Sequence, residues 1–198
     1  MPRKDSNKRQ RLIQAAKLLM HRKGFNFTTL ADIADEADVP LGNVYYYFKT
    51  KEAIGEAVIA SRVAELNERL TNWENESNPS ARLFNLVQHE LDESNTTMQY
   101  GCPVGSLCQE LSKQEGHLSQ LAASLLKNQI EWVEKQFVAC GVDKKHANGL
   151  ALQLVAKLQG MCLLTSTYKD LSYANKIGES LKSWIQKSVQ TSKQEEFA

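Results

Sequence analysis

The chain has 198 residues, 42% hydrophobic and 24% charged, enough for a packed core in one or two domains and too apolar for a disordered chain. Residues 1–51 hold ten Lys/Arg against five Asp/Glu, and the remainder holds fourteen against eighteen, so a net charge of +1 conceals a basic head on an acidic body and points to a polyanion partner for the head alone. No unbroken apolar run reaches the ~20 residues of a membrane span, and the basic N-terminus leads into no signal-like apolar core, so the expectation is a cytoplasmic protein with no membrane partner.

Leu12, Ala15, Ala16, Leu19 and Met20 recur at helical spacing and predict a helix over 7–23, stopped at Gly24 behind Arg22 and Lys23. Thr28 and Thr29 precede Leu30, with Asp32 three residues after Thr29, the signature of a capped helix over 30–36 that buries Leu30, Ile33, Ala34 and Ala37. Asp38, Val39 and Pro40 break the chain, and Pro40 suits the first turn of a short helix over 41–47. Thr50 caps a long helix over 51–75. Further helices are expected over 80–93, 106–114, 117–139, 143–167 and 173–190, with a frayed tail. Residues 94–105, with Gly101, Pro103 and Gly105, read as the least helical stretch, and no segment alternates long enough to be a strand. The fold class is all-α: nine helices in two domains, a helix-turn-helix head over 1–50 and a ligand-binding and dimerisation body over 51–198.

Four scattered cysteines, Cys102, Cys108, Cys140 and Cys162, form no CxxC pair and stand apart from the four histidines, which argues against a disulfide framework or a zinc site. No phosphate loop, dinucleotide fingerprint or triad pattern marks an enzyme, so no catalytic residue, metal or cofactor is expected. A helical interaction module without DNA binding is the remaining non-enzyme alternative.

The short link around Val39 has the spacing of a helix-turn-helix, whose second helix enters the major groove. Thr29, Ile33, Ala34, Ala37, Val39, Gly42, Val44, Tyr45, Tyr47, Phe48, Lys51, Glu52 and Ile54 resemble the head of the TetR family of regulators, with Pro40 and Leu41 departing from its usual pattern. The resemblance implies a homodimer on a pseudo-palindromic duplex. DNA contacts are then expected from Thr28, Thr29, Leu41, Gly42, Asn43, Tyr46, Tyr47, Lys49 and Lys51. Asn43 suits an adenine edge, Gly42 a close backbone approach, and Tyr46 and Lys51 phosphate oxygens. Val44, Tyr45 and Phe48 are assigned to the inner face, and Arg3, Lys4, Lys8, Arg9 and Arg11 to a phosphate clamp.

Beyond the head, the segment Tyr-Gly-Cys-Pro-Val-Gly at 100–105 resembles the LmrA/YxaF-like repressors. That implies control of efflux or detoxification genes by a hydrophobic, aromatic effector, with His89, Tyr100, Cys102, Gln129, Trp132, Leu163 and Tyr168 as expected ligand residues. The TetR family's four-helix dimer seam would use Leu150, Leu154, Leu158, Ile177, Leu181 and Trp184. Cys102 and Cys108, with Cys102 placed at a helix start, support an alternative redox or electrophile sensor.

Overall fold

The computed structural model describes the backbone of residues 3–195 and the side chains of residues 7–191; the Arg3 and Lys4 side chains lie outside the described side chains, and of the tail expected to fray, residues 191–195 continue the last helix. The described residues form ten helices and no strand: α1 (Arg3–Lys23), α2 (Leu30–Glu36), α3 (Leu41–Tyr47), α4 (Lys51–Glu74), α5 (Pro79–Asp92), α6 (Ser94–Tyr100), α7 (Gly105–Leu111), α8 (His117–Ala139), α9 (Lys144–Tyr168) and α10 (Leu171–Glu195). Nine correspond to the helices read from the sequence. The tenth, α6, falls in the stretch expected to be least helical. It forms because the helix-breaking residues lie only at its end, where Gly101 caps it with φ +81°.

The described chain divides into two compact units, and the division does not fall at residue 50. The first unit runs to Glu65 and takes in Pro103–Leu125; the second holds Leu66–Cys102 and the chain from Leu126 on. The reason lies in the first unit's core. Leu12, Ala16 and Met20 of α1, Ile33 and Ala34 of α2, and Val44 of α3 cannot close a core alone. Ile54, Val58 and Ile59 of α4, Leu107 and Leu111 of α7, and Ala122 and Leu125 of α8 complete it.

The second unit is built on α9 and α10, which pack on each other, with α5 against α10 and α6 against α9. Its core joins Leu83, Leu86 and Val87 of α5, Trp132, Val133 and Phe137 of α8, Leu154, Leu158 and Met161 of α9, and Leu181 and Ile185 of α10. By length and composition α9 is apolar enough to cross a membrane. Its apolarity has another physical source here, because it feeds this core with one face and carries leucines and small residues on the other.

Candidate nucleic-acid interface and sensing unit

The start of α2 is a capping box. Thr29 Oγ1 accepts from the Asp32 N–H at 3.1 Å, and the Thr29 N–H donates to Asp32 Oδ2 at 2.8 Å. Lys23 Nζ lies 2.7 Å from the same oxygen. The Lys23 ammonium first, then the Thr29 N–H, holds the Asp32 carboxyl down to about 2. Thr29 is exposed, and both its N–H and its side chain are engaged by Asp32. Thr28 is fully buried, and its hydroxyl donates to the Gly24 carbonyl at 2.7 Å. Its expected DNA contact is therefore replaced by a structural one.

On α3 the exposed residues are Leu41, Gly42, Tyr45 and Tyr46, which 100° steps gather onto one face. Val44 and Phe48 point into the core, and Tyr47, half-buried, packs against it. This corrects the assignment of the tyrosines: Tyr45 is outward, 48% exposed, and Tyr47 is the packing residue. Tyr46, 71% exposed, stands edge-on to the Tyr47 ring at 4.9 Å. Asn43 is half-buried at the flank of the outward face, and a Cβ on Gly42 would meet nothing within 4 Å. Phe27, 78% exposed just before α2, was missed; a lone aromatic in a loop carries no periodic signal.

The basic residues divide by role. Lys49 is exposed. Lys51 donates to the carbonyls of Phe25 and Asn26 and lies 4.7 Å over the Phe25 ring, leaving one ammonium hydrogen for a phosphate. Arg11 is no clamp: its guanidinium donates to the carbonyls of Ala37 and Asp38 and to the Asp38 carboxylate, pinning α1 to the helix-turn-helix bend. Arg9 sits 5.3 Å over the Phe48 ring.

The loop between α1 and α2 is gripped from α7 as well. Glu110 accepts from the Phe25 N–H at 2.8 Å and the Asn26 N–H at 2.7 Å, one carboxylate oxygen each. Gln114 donates to Asn26 Oδ1 at 3.1 Å. Gly24 permits the approach: it has φ +88°, and a Cβ there would stand 3.0 Å from Glu110 Oε2.

In the second unit the expected ligand residues separate. Trp132 is buried, donates to Glu74 Oε1 at 3.0 Å and lies 5.7 Å from Trp73. Trp73 also lies 5.9 Å from the His89 ring. His89 pairs with Arg69, and burial above all, then the Arg69 charge, pushes its pKa down, favouring neutral imidazole. Gln129 is buried, whereas Tyr100 is exposed. Leu163 and Tyr168 are 63% and 61% exposed, so they lie on the surface of this unit rather than inside it. Tyr168 stacks on Tyr173 at 5.1 Å.

Cys102 is buried, but it follows the C-terminal end of α6 instead of opening a helix. Cys108 belongs to the first unit, where its thiol donates to the Ala122 carbonyl at 3.1 Å. Instead Gln159, which no sequence motif marks, donates to Cys102, and the neighbouring Cys162 donates to Glu90.

The expected dimer seam is mostly internal. Leu154, Leu158 and Leu181 are fully buried within one chain, and Leu150, Ile177 and Trp184 pack against the same core. Lys157 Nζ covers the Trp184 ring at 3.6 Å. The outward side of α9 carries Gly149, Leu152, Ala156, Leu163 and Leu164.

Comparison with known proteins agrees with this geometry. Residues 12–58 match the model of bacterial regulatory proteins of the tetR family, and residues 80–180 match the C-terminal domain of LmrA/YxaF-like transcriptional regulators. A helix-turn-helix regulator from the lacX 3' region of Lactococcus lactis subsp. lactis is 29% identical over 91% of this chain and 94% of its own. The repressor NemR of Escherichia coli K12 is 32% identical over 57% of this chain and 56% of its own. Two solved structures share the fold: a TetR regulator from Legionella pneumophila (TM-score 0.81, 20% identity, 87% of this chain and 94% of that one) and the reduced form of E. coli NemR (TM-score 0.75, 22% identity, 88% and 96%). A capped helix-turn-helix in the first unit, and a matching regulatory domain covering half the chain, make this protein a transcriptional regulator of the tetR family, with an LmrA/YxaF-like C-terminal domain.

Proposed function

We propose that the protein is a cytoplasmic repressor that binds a pseudo-palindromic operator as a homodimer and is released by a small hydrophobic, aromatic effector. The observation that carries the DNA reading is the outward face of α3, where Leu41, Gly42, Tyr45 and Tyr46 stand together above a buried Val44 and Phe48. Tyr45, Gly42 and the flanking Asn43 are suited to base edges; Tyr46, Lys49 and the remaining Lys51 hydrogen are suited to phosphates. One two-turn helix reads only a few base pairs, so two copies are needed for useful specificity. The dimer seam is assigned to the outward side of α9, where Gly149 and Ala156 allow close approach between Leu152, Leu163 and Leu164. The repressor names of NemR and of DhaR from Mycobacterium sp. support repression.

The effector is assigned to the second unit, around His89, Gln129 and Trp132 with Tyr100 and Cys102. The Thr165 hydroxyl of α9, in the same unit, is fully buried and makes no hydrogen bond, which supports a polar-tipped ligand inside this unit. The LmrA/YxaF-like domain supports, as part of this proposal, regulation of efflux or detoxification genes. The test is duplex selection from a random library, followed by anisotropy titration. A two-fold site should be enriched. Asn43→Ala or Tyr45→Ala should cost about 1–3 kcal/mol on that site and little on random DNA. Tyr46→Phe and Lys49→Ala should weaken both alike. Failure to enrich any symmetric duplex would sink the operator reading, and an aromatic panel that never releases DNA would sink the effector reading.

A further inference from the structure

Gln159 and Cys162 stand one turn apart on α9 and reach two other segments. Gln159 Nε2 donates to Cys102 Sγ at 3.7 Å, and the Cys162 thiol donates to Glu90 Oε2 of α5 at 3.5 Å. Cys102 is also the first of the groups that raise the Cys162 thiol, ahead of burial and Glu90, so the two thiols are neighbours. Both are buried, Cys102 being the more exposed at 8% against 2%. Two thiols and a carboxyl are thus gathered inside one compact unit from positions far apart in the chain. Cys108, the partner the sequence suggested for Cys102, is instead held to the Ala122 carbonyl in the other unit.

We propose that Cys102 and Cys162 form a reversible thiol–disulfide switch, oxidised by hydroperoxides, whose closure lowers operator affinity. The Cys102 sulfur, with the Gln159 N–H directed at it to stabilise negative charge, gives its proton to water and attacks the peroxide. A sulfur–oxygen bond forms, the oxygen–oxygen bond breaks, and the departing oxygen takes a proton to leave as alcohol or water. Cys162 then passes its proton to the Glu90 carboxylate and attacks the Cys102 sulfur. The disulfide forms, the sulfur–oxygen bond breaks, and the departing hydroxide takes the proton back from Glu90 as water. Two thiols are oxidised by two electrons and one hydroperoxide is reduced.

Glu90 fits the proton-accepting role. Burial first, and then the neighbouring Cys102, push its carboxyl up to about 7, against the lowering effects of the Cys162 thiol and Arg69, with Glu93 raising it further. It is therefore part-ionised at neutral pH. The Cys162 thiol is pushed up by Cys102, by burial and by Glu90, so it holds its proton until Glu90 takes it.

The effect on DNA rests on the operator-binding reading. Cys102 ends the second unit's first stretch, and eight residues later Glu110 of α7 grips the loop that starts α2. Tying Cys102 to α9 therefore constrains the chain leading to that grip.

The experiment treats the full-length reduced protein with hydrogen peroxide under native conditions and maps its peptides without reductant. The expected product is one Cys102–Cys162 crosslink lacking two hydrogens and reversed by dithiothreitol. Affinity for the selected duplex should fall about tenfold and recover on reduction. Cys108→Ser and Cys140→Ser should respond as the wild type does. Cys162→Ser should leave Cys102 as a sulfenic acid that a dimedone probe captures. Glu90→Gln should slow crosslinking and flatten its rise with pH around neutrality. A Cys102–Cys108 crosslink, no crosslink in the folded protein, or a crosslink with unchanged affinity would each overturn the proposal. Reduced protein that selects no duplex defeats the operator reading instead, and the peptide map still decides the crosslink.

Discussion

At the start of α2 a single surface carboxyl joins two helices: Asp32 takes the Thr29 N–H from its own cap and the Lys23 ammonium from the end of α1. Its folded-state carboxyl titrates at about 2, below the ~3.9 of an unfolded aspartate. The stabilisation is therefore fully present above the unfolded value and fades as the pH falls toward the folded one. Amide exchange in α2 should show protection lost across that acid window. Asp32→Asn should be weaker at neutral pH and should lack the acid step. An identical acid profile in the two proteins would remove Asp32 from this role. Thr28 shows the opposite case, a hydroxyl that a motif offers to DNA and the fold uses internally.

At the scale of elements, α7 decides how firmly the head's first loop is held. Both oxygens of Glu110 accept backbone N–H groups, and bonds to a charged acceptor are worth roughly 1.5–3 kcal/mol each. Glu110→Gln keeps one acceptor and turns an amide NH2 toward the other donor. We expect exchange at residues 25–37 to accelerate by at least tenfold, the equivalent of about 1.4 kcal/mol, while the second unit keeps its protection. Tryptophan fluorescence would miss the change, since Trp73, Trp132 and Trp184 all belong to the second unit. Unaltered exchange in that loop would show that the grip is incidental.

For the whole molecule, α9 separates what holds one chain together from what would hold two. Leu154 is buried inside the unit, and a charge there has no partner, so Leu154→Glu should unfold the chain. Leu152, two residues earlier, is 50% exposed, so Leu152→Glu should leave the helix content intact and shift light scattering from dimer to monomer. Operator affinity should drop with it, because the two α3 helices must sit about 34 Å apart to enter successive major grooves. A Leu152→Glu protein that stays dimeric would place the seam elsewhere.

The sequence by itself determined the helix-turn-helix, the capped start of its first helix and its family, because these rest on local spacing: Thr29 to Asp32, Gly42 to Phe48, and the break at Pro40. Local periodicity also specified nine helices. It could not orient the three consecutive tyrosines of α3, since two turns of helix allow either Tyr45 or Tyr47 to pair with Val44 and Phe48. Only packing against α1 and α2 chose Tyr47. Periodicity likewise marks a residue as apolar without saying whether its neighbour is the same chain or another, and so Leu154, Leu158 and Leu181 read as a seam while they fill a core. The division into units and the meeting of Glu90, Cys102, Gln159 and Cys162 depend on contacts between residues far apart in the chain, which no local pattern encodes; tertiary structure alone decided them.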